Sequence, residues 1–105
     1  MLELDNTNNG GEVEFRVGDT FELRLSENPT TGYRWFLSAP VGPVLEIEDD
    51  SFTGARQGAV GAGGARVWRF RAAREGVVRL ELENRRSWEP RGVATFAVAI
   101  DVKAP

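Results

Sequence analysis

Cysteine and histidine are both missing from this 105-residue chain. The first absence rules out disulfides and thiolate chemistry, and the second rules out imidazole acid/base catalysis. Together they remove the usual ligands of zinc and copper. No nucleophile with a partner base of the common hydrolase kind can be assembled from what is left, so an enzyme is the weakest functional reading. Lysine is almost absent too: twelve of the 13 basic residues are arginine, a planar donor suited to paired contacts with carboxylates and backbone. No apolar run approaches the roughly 20 residues needed to span a bilayer, and no membrane partner is expected. Nor is there a positive excess. Thirteen basic and 16 acidic residues give a net charge of −3 with the signs interspersed, and a nucleic-acid partner is not expected of such a surface. The opening MLELDNTNNGG lacks the basic start and apolar stretch of a secretory leader, so the chain is expected to be cytoplasmic or an exported mature form. No cofactor is implied.

What remains is the composition of a globular domain, 41% hydrophobic and 28% charged. The length suits one domain over residues 1–105, expected to act as a monomer and to bury on the order of 65% of its unfolded surface. Apolar residues recur with a period of two, and helical periodicity is absent. Phe21, Leu23 and Leu25 alternate with Glu22 and Arg24. Tyr33, Trp35 and Leu37 repeat the pattern, a weaker run covers residues 44–48, and Trp68, Phe70 and Ala72 alternate with Arg69 and Arg71. Val78, Leu80 and Leu82 form another face, and Ala94, Phe96, Val98, Ile100 and Val102 the longest. Turn residues punctuate these runs at 17–19, 28–32, 38–43, 58–64, 74–76 and 88–92. Six or seven short strands with one apolar face each are most economically paired as two antiparallel sheets. The expected fold is therefore an all-β, immunoglobulin-like sandwich with Trp35 and Trp68 in its core.

Three stretches exceed what connecting strands requires. In NPTTGY, Pro29 stiffens the turn and extends Asn28, and Gly32 can take a positive φ, which leaves the adjacent hydroxyls of Thr30 and Thr31 without a task. The run GAVGAGGA at 58–65 lacks the Lys and Ser/Thr of a phosphate loop and leads into a strand. Without side chains at Gly61, Gly63 and Gly64, a partner could approach the backbone directly. In NRRSWEPRG, Trp88 lies among arginines in an expected loop, the residue types enriched at binding hot spots. The acidic run EIEDD at 46–50 has no EF-hand spacing and reads as a solvated strand end. A sandwich that binds carbohydrate or a cell surface through Trp88 is an alternative, but gives no role to NPTTG or to the glycines.

Taken together, Asn28-Pro29-Thr30-Thr31-Gly32-Tyr33, Gly61-Ala62-Gly63-Gly64 and Arg86-Ser87-Trp88 resemble, in order, the three loop motifs of the chagasin-type inhibitors of papain-like cysteine peptidases. The likeness covers nearly the whole domain. It implies an immunoglobulin-like sandwich with the three loops at one end, and a papain-family cysteine peptidase as partner. By this resemblance Thr30 and Thr31 enter the cleft while Gly61, Gly63, Gly64, Arg86 and Trp88 flank it. Ser87 stands where the family usually has proline, which removes a constraint from the third loop.

Overall fold

The computed structural model describes residues 2–54 and 64–105, Pro29 by its backbone alone. Gly61 and Gly63 lie outside the described residues. Eight strands are described: β1 Leu2–Asp5, β2 Glu12–Arg16, β3 Thr20–Glu27, β4 Tyr33–Leu37, β5 Leu45–Thr53, β6 Gly64–Ala72, β7 Gly76–Arg86 and β8 Ala94–Lys103. They form two four-stranded sheets, in the orders β1-β3-β6-β5 and β2-β8-β7-β4. The fold is the immunoglobulin-like β-sandwich that the alternation predicts.

The inner faces are the predicted ones. Phe21, Leu23 and Leu25 from β3 meet Phe70 and Trp68 from β6 across an antiparallel ladder, and all five are at most 2% exposed. The facing sheet supplies Leu80 and Leu82 from β7 with Phe96, Val98, Ile100 and Val102 from β8. Phe21 stacks on both Phe15, with ring centroids 4.3 Å apart, and Phe70, at 5.3 Å. Each such buried side chain contributes roughly 1.5–3 kcal/mol, and this core is what makes the two sheets one body. Trp35 and Trp68 are both buried in it.

Two strands were not legible in the alternation. β1 and β2 each bury a single residue of the core, Leu4 and Phe15, and each adds to a sheet edge in parallel, β1 beside β3 and β2 beside β8. The interior ladders are antiparallel. β5 also runs further than expected, with a register shift between Ile47 and Asp49. Its acidic residues are solvated as expected but lie within the strand and not at its end, and Glu46 and Glu48 reach Arg71 while Asp50 reaches Arg66.

Candidate functional site

The registers collect three connections at one end of the sandwich. Glu27 at the end of β3 pairs with Gly64 at the start of β6, and Thr53 at the end of β5 pairs with Ala65. In the other sheet Tyr33 at the start of β4 pairs with Arg86 at the end of β7, and Asn84 pairs with Ala94 at the start of β8. Residues 28–32 and 87–93 therefore leave from this end, where β5 also ends and β6 begins. The first of them is also the crossing from one sheet to the other.

The turn at 28–32 is organised by Asn28. Its carboxamide oxygen accepts from the Thr30 N–H at 3.1 Å and the Thr30 hydroxyl at 2.7 Å. Its main-chain carbonyl accepts from the Thr31 hydroxyl at 2.8 Å and the Thr31 N–H at 3.3 Å. The Thr31 oxygen in turn accepts from the Tyr33 N–H at 3.3 Å. Both hydroxyls thus have an internal task that sequence pattern did not reveal. They close a single 3-10 turn over Pro29–Thr31, and Gly32 ends it at φ +79°. Thr30 and Thr31 remain exposed, but in a fixed conformation.

The third connection is built onto the first. β7 continues to Arg86, beyond the last apolar alternation at Leu82, so Arg86 is a strand residue and not a loop residue. Its guanidinium carbon lies 4.4 Å from the centroid of the Tyr33 ring, and its Nε donates to the Thr31 carbonyl at 3.1 Å. The same side chain reaches Glu89 at 3.1 Å, across a turn closed by the Glu89 N–H donating to the Arg86 carbonyl. Ser87 and Trp88 are the two central residues of that turn. A Cβ at Gly32 would lie 3.1 Å from Cη2 of Trp88, so the ring is seated against the glycine. Trp88 is still 71% exposed, and Val93 beyond it 64%. Arg85 supports the turn from below, stacked on Phe36 at 4.3 Å and donating toward the Arg86 and Glu89 carbonyls. Asn28, Thr30, Thr31, Gly32, Tyr33, Arg86 and Trp88 are thereby brought into one edge.

Gly64 is the described member of the glycine motif, and it opens β6. A Cβ there would come within 2.1 Å of the Thr53 carbonyl oxygen and 2.8 Å of the Phe52 ring. Its lack of a side chain is therefore required by its own hairpin, whatever approaches from outside.

Two residues at this end escaped sequence reading. Glu27 and Arg66 occupy the next inner-face positions after Phe21, Leu23, Leu25 and before Trp68, Phe70, and both are buried. Glu27 Oε2 accepts from Arg66 Nε at 3.2 Å and Nη2 at 3.1 Å, while Oε1 accepts from the Trp35 N–H at 2.8 Å. The readable signal was a pair of opposite charges ending two apolar alternations.

Residues 14–100 match the chagasin family of peptidase inhibitors, I42. Amoebiasin-1 of Entamoeba histolytica is 28% identical over 103 residues, covering 97% of this chain and all of the relative. The crystal structure of EhICP2, a cysteine protease inhibitor from the same organism, superposes with a TM-score of 0.86 at 19% identity, over 97% of this chain and 95% of that one. The structure of PbICP-C in complex with falcipain-2 superposes with a TM-score of 0.66 at 16% identity, over 98% of this chain and all of that one. These two likenesses are of fold; the match over residues 14–100 is of sequence, and by it the chain belongs to the chagasin family of peptidase inhibitors.

Proposed function

We propose that the edge made by residues 28–32 and Trp88, together with the glycine motif that leads into β6, enters the active-site cleft of a papain-family cysteine peptidase and blocks it reversibly and competitively. The chain is an inhibitor and not an enzyme. The observation that carries the reading is the exposed Trp88 ring seated on Gly32, with Arg86 bonded to the Thr31 carbonyl, so that two of the three motif loops form one preorganised edge. A surface already held in its bound shape loses less entropy on association.

The same hydrogen bonds supply a reason for the inhibitor to survive. A thiolate attacks a carbonyl that is held at near-attack distance with its oxygen in an oxyanion hole. The Asn28 carbonyl is already engaged by Thr31, and the Thr31 carbonyl by Arg86. Those oxygens are turned to internal donors, so the turn fills a cleft without offering them for attack. Trp88 adds apolar area on one flank, and Gly61 and Gly63, which carry no side chains, let a partner approach their backbone, whereas the space beside Gly64 is filled by Thr53 and Phe52 of its own hairpin. Three such connections suit a standard interface of roughly 1,600 Å² in total. Falcipain-2, seen with PbICP-C, is an example of the partner class. A carbohydrate-binding sandwich leaves the Asn28-centred turn unused, and family membership speaks against it.

The test is steady-state kinetics of papain at several inhibitor concentrations, with mass analysis of the recovered protein. Competitive inhibition raises the apparent KM at constant kcat and returns the chain uncut. A change in kcat alone, or cleavage within 28–32, contradicts the reading.

A further inference from the structure

We propose that Glu27 and Arg66 are positioning residues, a buried ion pair that sets the spacing between the motif loops of the two sheets without touching the peptidase. The proposal rests on the reading of this end as the inhibitory surface.

The pair stands where the fold calls for hydrocarbon. Glu27 is 4% exposed and Arg66 9%, on the inner faces of β3 and β6. Taking two charges out of water costs several kcal/mol per ion, and replacing such a pair by packed apolar residues is often neutral or stabilising. Stability alone therefore does not account for it.

Its connections do. Glu27 immediately precedes the turn at 28–32, and Trp35, whose N–H it accepts, lies just beyond that turn on the other sheet. One carboxylate oxygen thus spans the crossing between the sheets. The other takes the two-pronged bond from Arg66, two residues after Gly64 on β6, and Arg66 Nη1 continues to Asp50 on β5 at 3.3 Å. A second clasp, Trp35 Nε1 donating to the Ser26 carbonyl at 2.9 Å, runs parallel to the first. β4 in turn pairs with β7, which carries Arg86 and leads to Trp88. The ladder already ties Glu27 to Gly64, but no backbone ladder joins β3 to β4, so side-chain bonds at this corner fix how far Tyr33, and through β7 Arg86 and Trp88, stand from the ends of β5 and β6. A rigid cleft reads that distance.

The decisive variant is the double replacement Glu27→Met with Arg66→Met, which removes both charges together. Because the buried Trp35 N–H loses its acceptor, it is expected to melt several degrees below the wild type while still folding, and to raise Ki for papain at least about tenfold. Amide exchange at Thr30, Thr31, Tyr33 and Trp35, measured on the free protein, should quicken by a similar factor. A folded double variant with wild-type Ki and wild-type exchange overturns the proposal. If the double variant does not fold, Glu27→Gln takes its place, where about a threefold rise in Ki with faster exchange supports the pair and unchanged values overturn it. Should the wild type itself fail to inhibit papain, the inhibitory reading falls, while the exchange arm still decides whether the pair holds the turn.

Discussion

Replacing Trp88 by alanine separates binding from folding at the proposed inhibitory edge. With 71% of the residue exposed, under a third of a side chain that buries up to roughly 250 Å² is covered, about 70 Å². At about 25 cal/mol per Å² this is about 1.8 kcal/mol, and a compact unfolded chain reduces it to about 1 to 1.5 kcal/mol. For a domain of this size the melting temperature should fall by roughly 5–10 °C. The same change at the buried Trp68 should cost about 3–5 kcal/mol, so the two tryptophans serve as each other's control. Inhibition should respond in the opposite order of severity. An aromatic anchor that a protein interface buries is worth about 2 kcal/mol or more on truncation, so Ki for papain should rise about 30-fold or more. Thermal melts monitored by circular dichroism and tight-binding inhibition assays on the same preparations supply both numbers. An unchanged Ki would refute the role of Trp88 as an anchor, and a loss of stability matching that of Trp68→Ala would mean that the ring is structural.

Other variants probe how the edge is built. Ser87→Pro falls at the first central position of the turn closed by Glu89 and Arg86, a position proline favours, and follows a strand residue already extended. It should stabilise by about 0.4–1 kcal/mol in melts and slow dissociation from the peptidase. Gly32→Ala puts a side chain at φ +79° and 3.1 Å from the Trp88 ring, and should cost about 1–2 kcal/mol in denaturant titrations while weakening inhibition through the displaced ring. Asn28→Ala removes the acceptor of two Thr30 bonds and should cost about 1 kcal/mol, visible in melts and as faster exchange of the Thr30 amide.

The core was legible because burial imposes a period of two on residues that must be apolar. Phe21, Leu23 and Leu25 could be placed from their spacing alone, as could Phe96, Val98 and Ile100. β1 and β2 were not, since an edge strand that contributes only Leu4 or Phe15 to the core has hydrogen bonds, not alternation, as its reason to exist. The extension of β7 through Asn84 and Arg85 to Arg86 has the same cause: pairing with β4 needs no apolar face. At the site, residue types indicated which stretches mattered, but their internal wiring was hidden. Thr30 and Thr31 read as free hydroxyls because Asn28, the residue that engages them, acts through a side-chain oxygen and a carbonyl whose directions no pattern encodes. Glu27 and Arg66 drew no reading at all, because alternation says that a position faces inward but not that an opposite charge waits there.

The central claim is that this end of the sandwich blocks a papain-family active site. Titrating active-site-calibrated papain with the purified protein tests it most directly. A blocked cleft gives a linear loss of activity that reaches its end point at one inhibitor per active enzyme, with the inhibitor recovered intact. Full activity with micromolar protein present, across papain and several related peptidases, would contradict it.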